Sequence, residues 1–150
     1  MKFTTLCYIE KNNQYLMLYR NKKENDLNKG KWIGVGGHFE KGETPNECIK
    51  REVYEETGLK LVDYKLRGIL TFISNKDFVE YIWLYTANKF EGELIECNEG
   101  ILKWIDKDKI MELELWEGDR IFLELLNQKE EFFSLKLEYE DNKLINYVIE

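Results

Sequence analysis

The chain has 150 residues, 43% of them apolar and 14% aromatic, which excludes a disordered polymer and supplies a core without disulfide or metal staples. Its 29 acids against 22 bases leave a net charge of −7, the wrong sign for gripping duplex nucleic acid through overall charge. Cys7, Cys48 and Cys97 are widely spaced and His38 is the single histidine, so zinc-finger spacings are excluded and a reducing compartment is expected.

In chain order, Met1–Thr5 lacks the apolar stretch of a signal peptide, and no apolar run approaches the ~18 residues of a membrane span. These features predict a cytoplasmic monomer or homodimer without a membrane partner, with residues 1–150 forming a single domain. Residues 3–9 and 15–19 read as strands around a turn at Asn12-Asn13. Residues 20–31 form a polar loop, and residues 20–36 hold five bases against two acids. A glycine cluster spans Gly34 to Gly37, followed by a helix from Pro45 to Thr57. Apolar stretches 62–73 and 78–90 read as strands around a turn at Ser74–Asp77, and 101–105 as a further short strand. Asp119 is expected to cap a second helix running to about Gln128, with Ile121, Phe122, Leu125 and Leu126 facing inward. The end alternates as a hairpin, Phe133 to Tyr139 and Leu144 to Ile149, turned by Asp141-Asn142. Interleaved strands, outnumbering two helices, predict a mixed α+β sandwich.

Residues 37–59 read GHFEKGETPNECIKREVYEETGL. Thr44 and Glu47 form a capping box, Pro45 sits at the first helical position, and Gly58 falls just past the last turn. At about 100° per residue, Glu56 lies about 40° and Glu55 about −60° from Glu52, so three carboxylates share one face. Ile49 and Val53 form the adjoining apolar stripe. Like charges three and four residues apart repel, and at the C-terminal half of a helix the macrodipole disfavours them further. A hard divalent cation such as Mg²⁺, or Mn²⁺ in its place, accounts for such a cluster by taking carboxylates and leaving positions for phosphate oxygens.

The segment fits the pattern G-x5-E-x7-R-E-U-x-E-E-x-G-U, with U a bulky apolar residue, at Gly37, Glu43, Arg51, Glu52, Val53, Glu55, Glu56, Gly58 and Leu59. On these positions the chain resembles the Nudix hydrolases, which cleave nucleoside diphosphates linked to another group. The resemblance implies an α/β/α sandwich around a central mixed sheet, with a Nudix-box helix and a second helix near the C-terminus. It implies that Glu52, Glu55 and Glu56, with the Gly37 carbonyl, ligate the metal, that Arg51 orients a carboxylate, and that Glu43 braces the loop. Glu56 or Glu52 would act as base, and Glu99 would add a distant acid.

Beyond the box, the chain is similar to MutT-type enzymes, which act on oxidised purine nucleoside triphosphates. The shared pieces are Lys31-Trp32-x-Gly34-x-Gly36-Gly37, Phe72, Glu99, Trp104, Trp116-x-x-Asp119, Leu125-Leu126 and the closing hairpin. That similarity implies Mg²⁺-dependent release of a monophosphate and pyrophosphate. Trp116 would stack on the base, Asp119 would bond its edge, and Phe72, Thr5 and Ile33 would border the pocket. Ile33 and Gly118 stand where that pattern carries an asparagine and an aspartate. Arg20, Lys22, Lys23, Lys29 and Lys31 would meet a triphosphate tail or form an ordinary solvated loop. Other Nudix substrates (a nucleotide sugar, a dinucleoside polyphosphate, an RNA cap) and a non-catalytic nucleotide-binding module stay as alternatives. Pro45 is the single proline, so subfamily signatures that need one outside the box are absent.

Overall fold

Strand β1, Lys2–Lys11, turns through Asn12 and Asn13, both at positive φ (51° and 61°), into β2, Gln14–Arg20. Two left-handed residues in succession match the right-handed twist of the flanking strands. The same device at Asp141 and Asn142 (φ 47° and 68°) joins β8, Phe133–Glu140, to β9, Lys143–Ile149. The computed structural model describes residues 1–128 and 130–150.

Between these hairpins come the short β3 (Trp32–Ile33) and β4 (Val35–His38), helix α1 (Pro45–Thr57), and the long β5 (Lys60–Ser74) and β6 (Phe78–Glu91). Strand β7 (Gly100–Asp106) leads into a 3-10 helix, Lys107–Glu112, which the sequence reading did not anticipate, and then α2 (Glu117–Gln128). The described strands form a mixed sheet: β4-β1-β6-β5-β8-β9 in one layer, with β1/β6 and β5/β8 parallel, and β3-β2-β7 joined to it through the Glu10–Lys11 end of β1.

Alternation along β1 divides the core. Cys7 and Ile9 face the α1 side with Ile49, Val53 and Val35, while Tyr8 faces the α2 side with Phe122, Leu84 and Leu135. All of these are essentially fully buried. A helix on each face gives the expected α+β sandwich.

One element begins elsewhere than predicted. Asp119 does not cap α2; the helix starts at Glu117, and the Asp119 amide donates to Trp116 O at 3.0 Å. The Gly118 amide, one of the donors a helix start leaves unpaired, donates instead to the Tyr139 hydroxyl at 2.6 Å. A strand residue thus does the capping and leaves the Asp119 carboxylate in the first turn. Gly118 is itself explained by this packing: a Cβ there would stand 2.7 Å from Leu137 Cδ1 and 2.8 Å from Tyr139 Oη.

Candidate active site

Helix α1 is fixed at both ends as its sequence demands. Thr44 Oγ1 accepts the Glu47 amide at 3.1 Å, and Glu47 Oε1 accepts the Thr44 amide at 2.9 Å. Gly58, at φ 79°, donates its N–H to Tyr54 O. Strand β4 lies beside the helix, paired through Gly36 and Gly37 with Leu6 and Thr5 of β1. Both glycines are required by close approach. A Cβ on Gly36 would collide with the Thr5 carbonyl, and one on Gly37 would occupy the place of the Glu52 carboxylate.

Arg51 organises the acids around it. Nε and Nη2 donate to the two Glu43 carboxylate oxygens at 2.6 and 2.9 Å, and Nη2 also donates to His38 O at 2.9 Å. Nη1 donates to Glu52 at 2.7 Å and to Glu55 at 3.2 Å. The paired hydrogen bonds hold the Glu43 carboxyl down at about 2, and Glu43 in turn accepts the Glu40 amide. Glu43 therefore braces the loop into α1.

The carboxylates of the helix face are not equivalent. Glu55 is exposed, whereas Glu56 is buried and accepts the Gly36 amide at 3.0 Å. Glu99, just before β7, hydrogen-bonds Glu56 across the fold. Burial first, and then the Glu99 carboxyl, push Glu56 far above the ordinary carboxylate range. Burial also raises Glu52, with the charges of Glu55 and Glu99 adding to the rise. Against its burial, the hydrogen bond with Glu56 draws Glu99 downward, helped by Arg20 and Lys23, each 3.5 Å away.

Among the described residues no three His, Cys, Asp or Glu side chains already surround one cation position. The reason is visible in the contacts: Arg51 holds Glu52 and Glu55, and Glu56 is turned toward Glu99. The donor chemistry nevertheless fits a hard cation. Glu52, Glu56 and Glu99 are hard oxygen donors; burial first, and then their mutual repulsion, raises Glu52 and Glu56, and a divalent ion would relieve both. The Glu52 carboxylate packs against Gly37, in a cradle that a side chain at 37 would fill, while the Gly37 carbonyl accepts the Thr5 hydroxyl at 3.4 Å.

Glu52, Glu99 and Gly37 line one end of an open cavity of about 560 Å³. Its other end is aromatic and holds Phe72, Phe78, Trp116 and Tyr139. Trp116 stands edge-on to Tyr139, its ring centroid 5.8 Å away, and Lys31 Nζ lies 5.0 Å over the Trp116 ring. Burial lifts the Asp119 carboxyl to about 7, against the pull of Lys31 and Arg120. Thr5, Arg20 and Ile33 also border the cavity.

The structure therefore brings together every predicted pocket residue, and sets Glu55 apart at the exposed rim. Sequence reasoning missed Tyr139, Asn28 and Asp26. Tyr139 could have been found as the inward member of the alternating hairpin. No local signal marks Asn28, which accepts the Trp116 indole N–H at 2.8 Å.

The family model for the NUDIX domain matches residues 2–126. The chain belongs to the Nudix family. This Nudix hydrolase is 33% identical over 112 residues to the oxidized purine nucleoside triphosphate hydrolase of Danio rerio, covering 73% of the chain and 71% of that protein. It is 29% identical over 127 residues to the uncharacterized Nudix hydrolase YvcI of Bacillus subtilis, covering 81% and 77%. The crystal structure of a mutator MutT protein from Bacillus halodurans superposes with a TM-score of 0.89 at 28% identity, covering 100% of the chain and 98% of its own. Nudix hydrolases generally use divalent cations and act on small nucleotides. No helix among the described residues of this one is long and apolar enough to cross a membrane.

Proposed function

We propose that this Nudix hydrolase is a Mg²⁺-dependent pyrophosphohydrolase of purine nucleoside triphosphates, with oxidised dGTP as its substrate and a nucleoside monophosphate and pyrophosphate as products. One observation carries the reading: a single cavity runs from Glu52 of α1 and Glu99 to the aromatic wall at Trp116, with Glu56 buried behind it at the Gly36 amide. Its volume suits one nucleotide. The similarity to the oxidized purine nucleoside triphosphate hydrolases supports the same substrate class.

Glu52, Glu56 and Glu99, with the Gly37 carbonyl, would hold the cation, and Glu55 would complete the set from the rim. The bound cation would supply charge neutralisation at the phosphates and a water of lowered pKa. The rest is done by side chains of this chain. Arg51 fixes Glu52 against rotation. Glu56, seated by the Gly36 amide, takes up the proton of the attacking water as base. Arg20 faces the polyphosphate from the cavity wall. Trp116 offers its ring to the base, a contact worth about 1–3 kcal/mol. Asp119 lies in the first turn of α2 at the same end, where its carboxyl can bond a base edge.

The test is a panel of normal and oxidised deoxynucleoside triphosphates assayed with Mg²⁺ and with Mn²⁺. Preference for a purine, highest for oxidised dGTP, is expected. Equal rates on purines and pyrimidines would refute the assignment of the aromatic end.

A further inference from the structure

In the solvent-exposed loop after β2, two side chains turn inward. Asp26 is only 6% exposed at its side chain, whereas its neighbours Asn25 and Leu27 are exposed. A carboxylate withdrawn from water needs partners, and Asp26 has two. Its Oδ2 accepts Arg20 Nε at 2.7 Å, and its Oδ1 accepts the Asn28 amide at 3.0 Å. Each partner leads on to a different end of the cavity. Arg20 Nη1 stands 3.5 Å from Glu99, the acid that bonds Glu56. Asn28 Oδ1 accepts the Trp116 indole N–H at 2.8 Å.

We propose that Asp26 is a positioning residue that couples the base platform to the acidic cluster, so that occupancy of Trp116 changes cation affinity at Glu99 and Glu56. The inference rests on the proposed function, since it assigns the two ends of the cavity to base and cation. A base settling on Trp116 loads Asn28 and, through it, the loop that carries Asp26. Asp26 then holds Arg20 more firmly and withdraws it from Glu99. With its cationic neighbour withdrawn, Glu99 is a better ligand for a divalent ion. By thermodynamic reciprocity, the cation tightens base binding by the same factor. Asp26 itself borders the cavity, but both its carboxylate oxygens are already engaged by Arg20 and Asn28. Its effect passes through Arg20 and Asn28.

The experiment uses the whole chain and two probes that cannot react: Mn²⁺, followed by the electron paramagnetic resonance of the free ion, and oxidised deoxyguanosine, which carries no phosphate. Mn²⁺ affinity is measured with and without saturating nucleoside. In the wild type the nucleoside is expected to raise Mn²⁺ affinity about fivefold, at the lower end of ordinary coupling between sites. In Asp26→Asn and in Asn28→Ala the ratio should fall to about one, while Mn²⁺ and nucleoside each still bind. Trp116→Phe keeps a stacking ring without the indole donor, and its ratio should also fall to about one. A ratio in Asp26→Asn and Trp116→Phe equal to that of the wild type would overturn the proposal alone. So would a wild-type ratio near one with both probes bound. Failure of the wild type to bind nucleoside or Mn²⁺ at all would overturn the proposed function, and this inference with it.

Discussion

Arg51→Gln tests the organisation of the acidic cluster. In the wild type, Arg51 donates five hydrogen bonds to oxygen: two to Glu43, one each to Glu52 and Glu55, and one to His38 O. Hydrogen bonds to charged groups are worth about 1.5–3 kcal/mol when enclosed. The Arg51 side chain is 22% exposed and Glu43 15%, so the sum must be discounted for water. Glutamine can keep one of the five bonds. The variant also leaves Glu43, Glu52 and Glu55 facing one another without a cation, so a loss of about 3 kcal/mol is expected. For a chain of 150 residues this lowers Tm by roughly 6–12 °C. Thermal unfolding is measured in a chelator and again with millimolar Mg²⁺. The metal should return more stability to the variant than to the wild type, because it supplies the positive charge that was removed. A variant within 1 °C of the wild type in chelator, or one to which Mg²⁺ returns no stability, would refute the reasoning.

Five further substitutions separate the parts of the site. Glu56→Gln should lower kcat by orders of magnitude while preserving the fold, read by steady-state kinetics beside circular dichroism; near-normal turnover would remove Glu56 from the chemistry. Gly37→Ala should weaken Mn²⁺ binding with a smaller change in Tm, because the new methyl displaces the Glu52 carboxylate, a side-chain end, whereas Gly36→Ala should unfold the chain at much lower temperature, because it meets the Thr5 backbone carbonyl. Asp119, raised to about 7, keeps a proton that the unfolded chain, near 4, has lost, so its contribution to stability falls as pH rises from about 4 to 7. Asp119→Asn should therefore come nearest the wild-type Tm near pH 4 and gain on it steadily up to pH 7; parallel pH profiles would contradict the shift. Glu43, lowered to about 2, contributes stability that is full above about pH 4.3 and lost as pH falls through 2, so the destabilisation by Glu43→Gln should shrink toward that pH in an acid titration.

Helix α1 was legible because everything that starts and stops it lies within its own segment: the capping box, Pro45 and Gly58. The acidic face followed from spacing alone. Its division did not, because Glu55 and Glu56 are adjacent, and only the packing of Gly36 against the helix buries one and leaves the other in water. The hairpins were legible from their asparagines, which tolerate positive φ. Asp119 was misread as a cap because the group that pairs with the helix start, Tyr139, comes from a strand 21 residues further on. Asn28 and Asp26 lie in a loop whose composition reads as solvated, and their inward turn depends on Trp116 and Arg20. The absence of a side chain at Gly118 follows likewise from Leu137 and Tyr139.

The most direct measurement is the phosphorus resonance spectrum of oxidised dGTP after incubation with the chain and Mg²⁺. Nucleoside monophosphate and pyrophosphate in equal amounts, in the wild type and not in Glu56→Gln, is the predicted result. Nucleoside diphosphate with orthophosphate, or an unchanged triphosphate, would contradict the account.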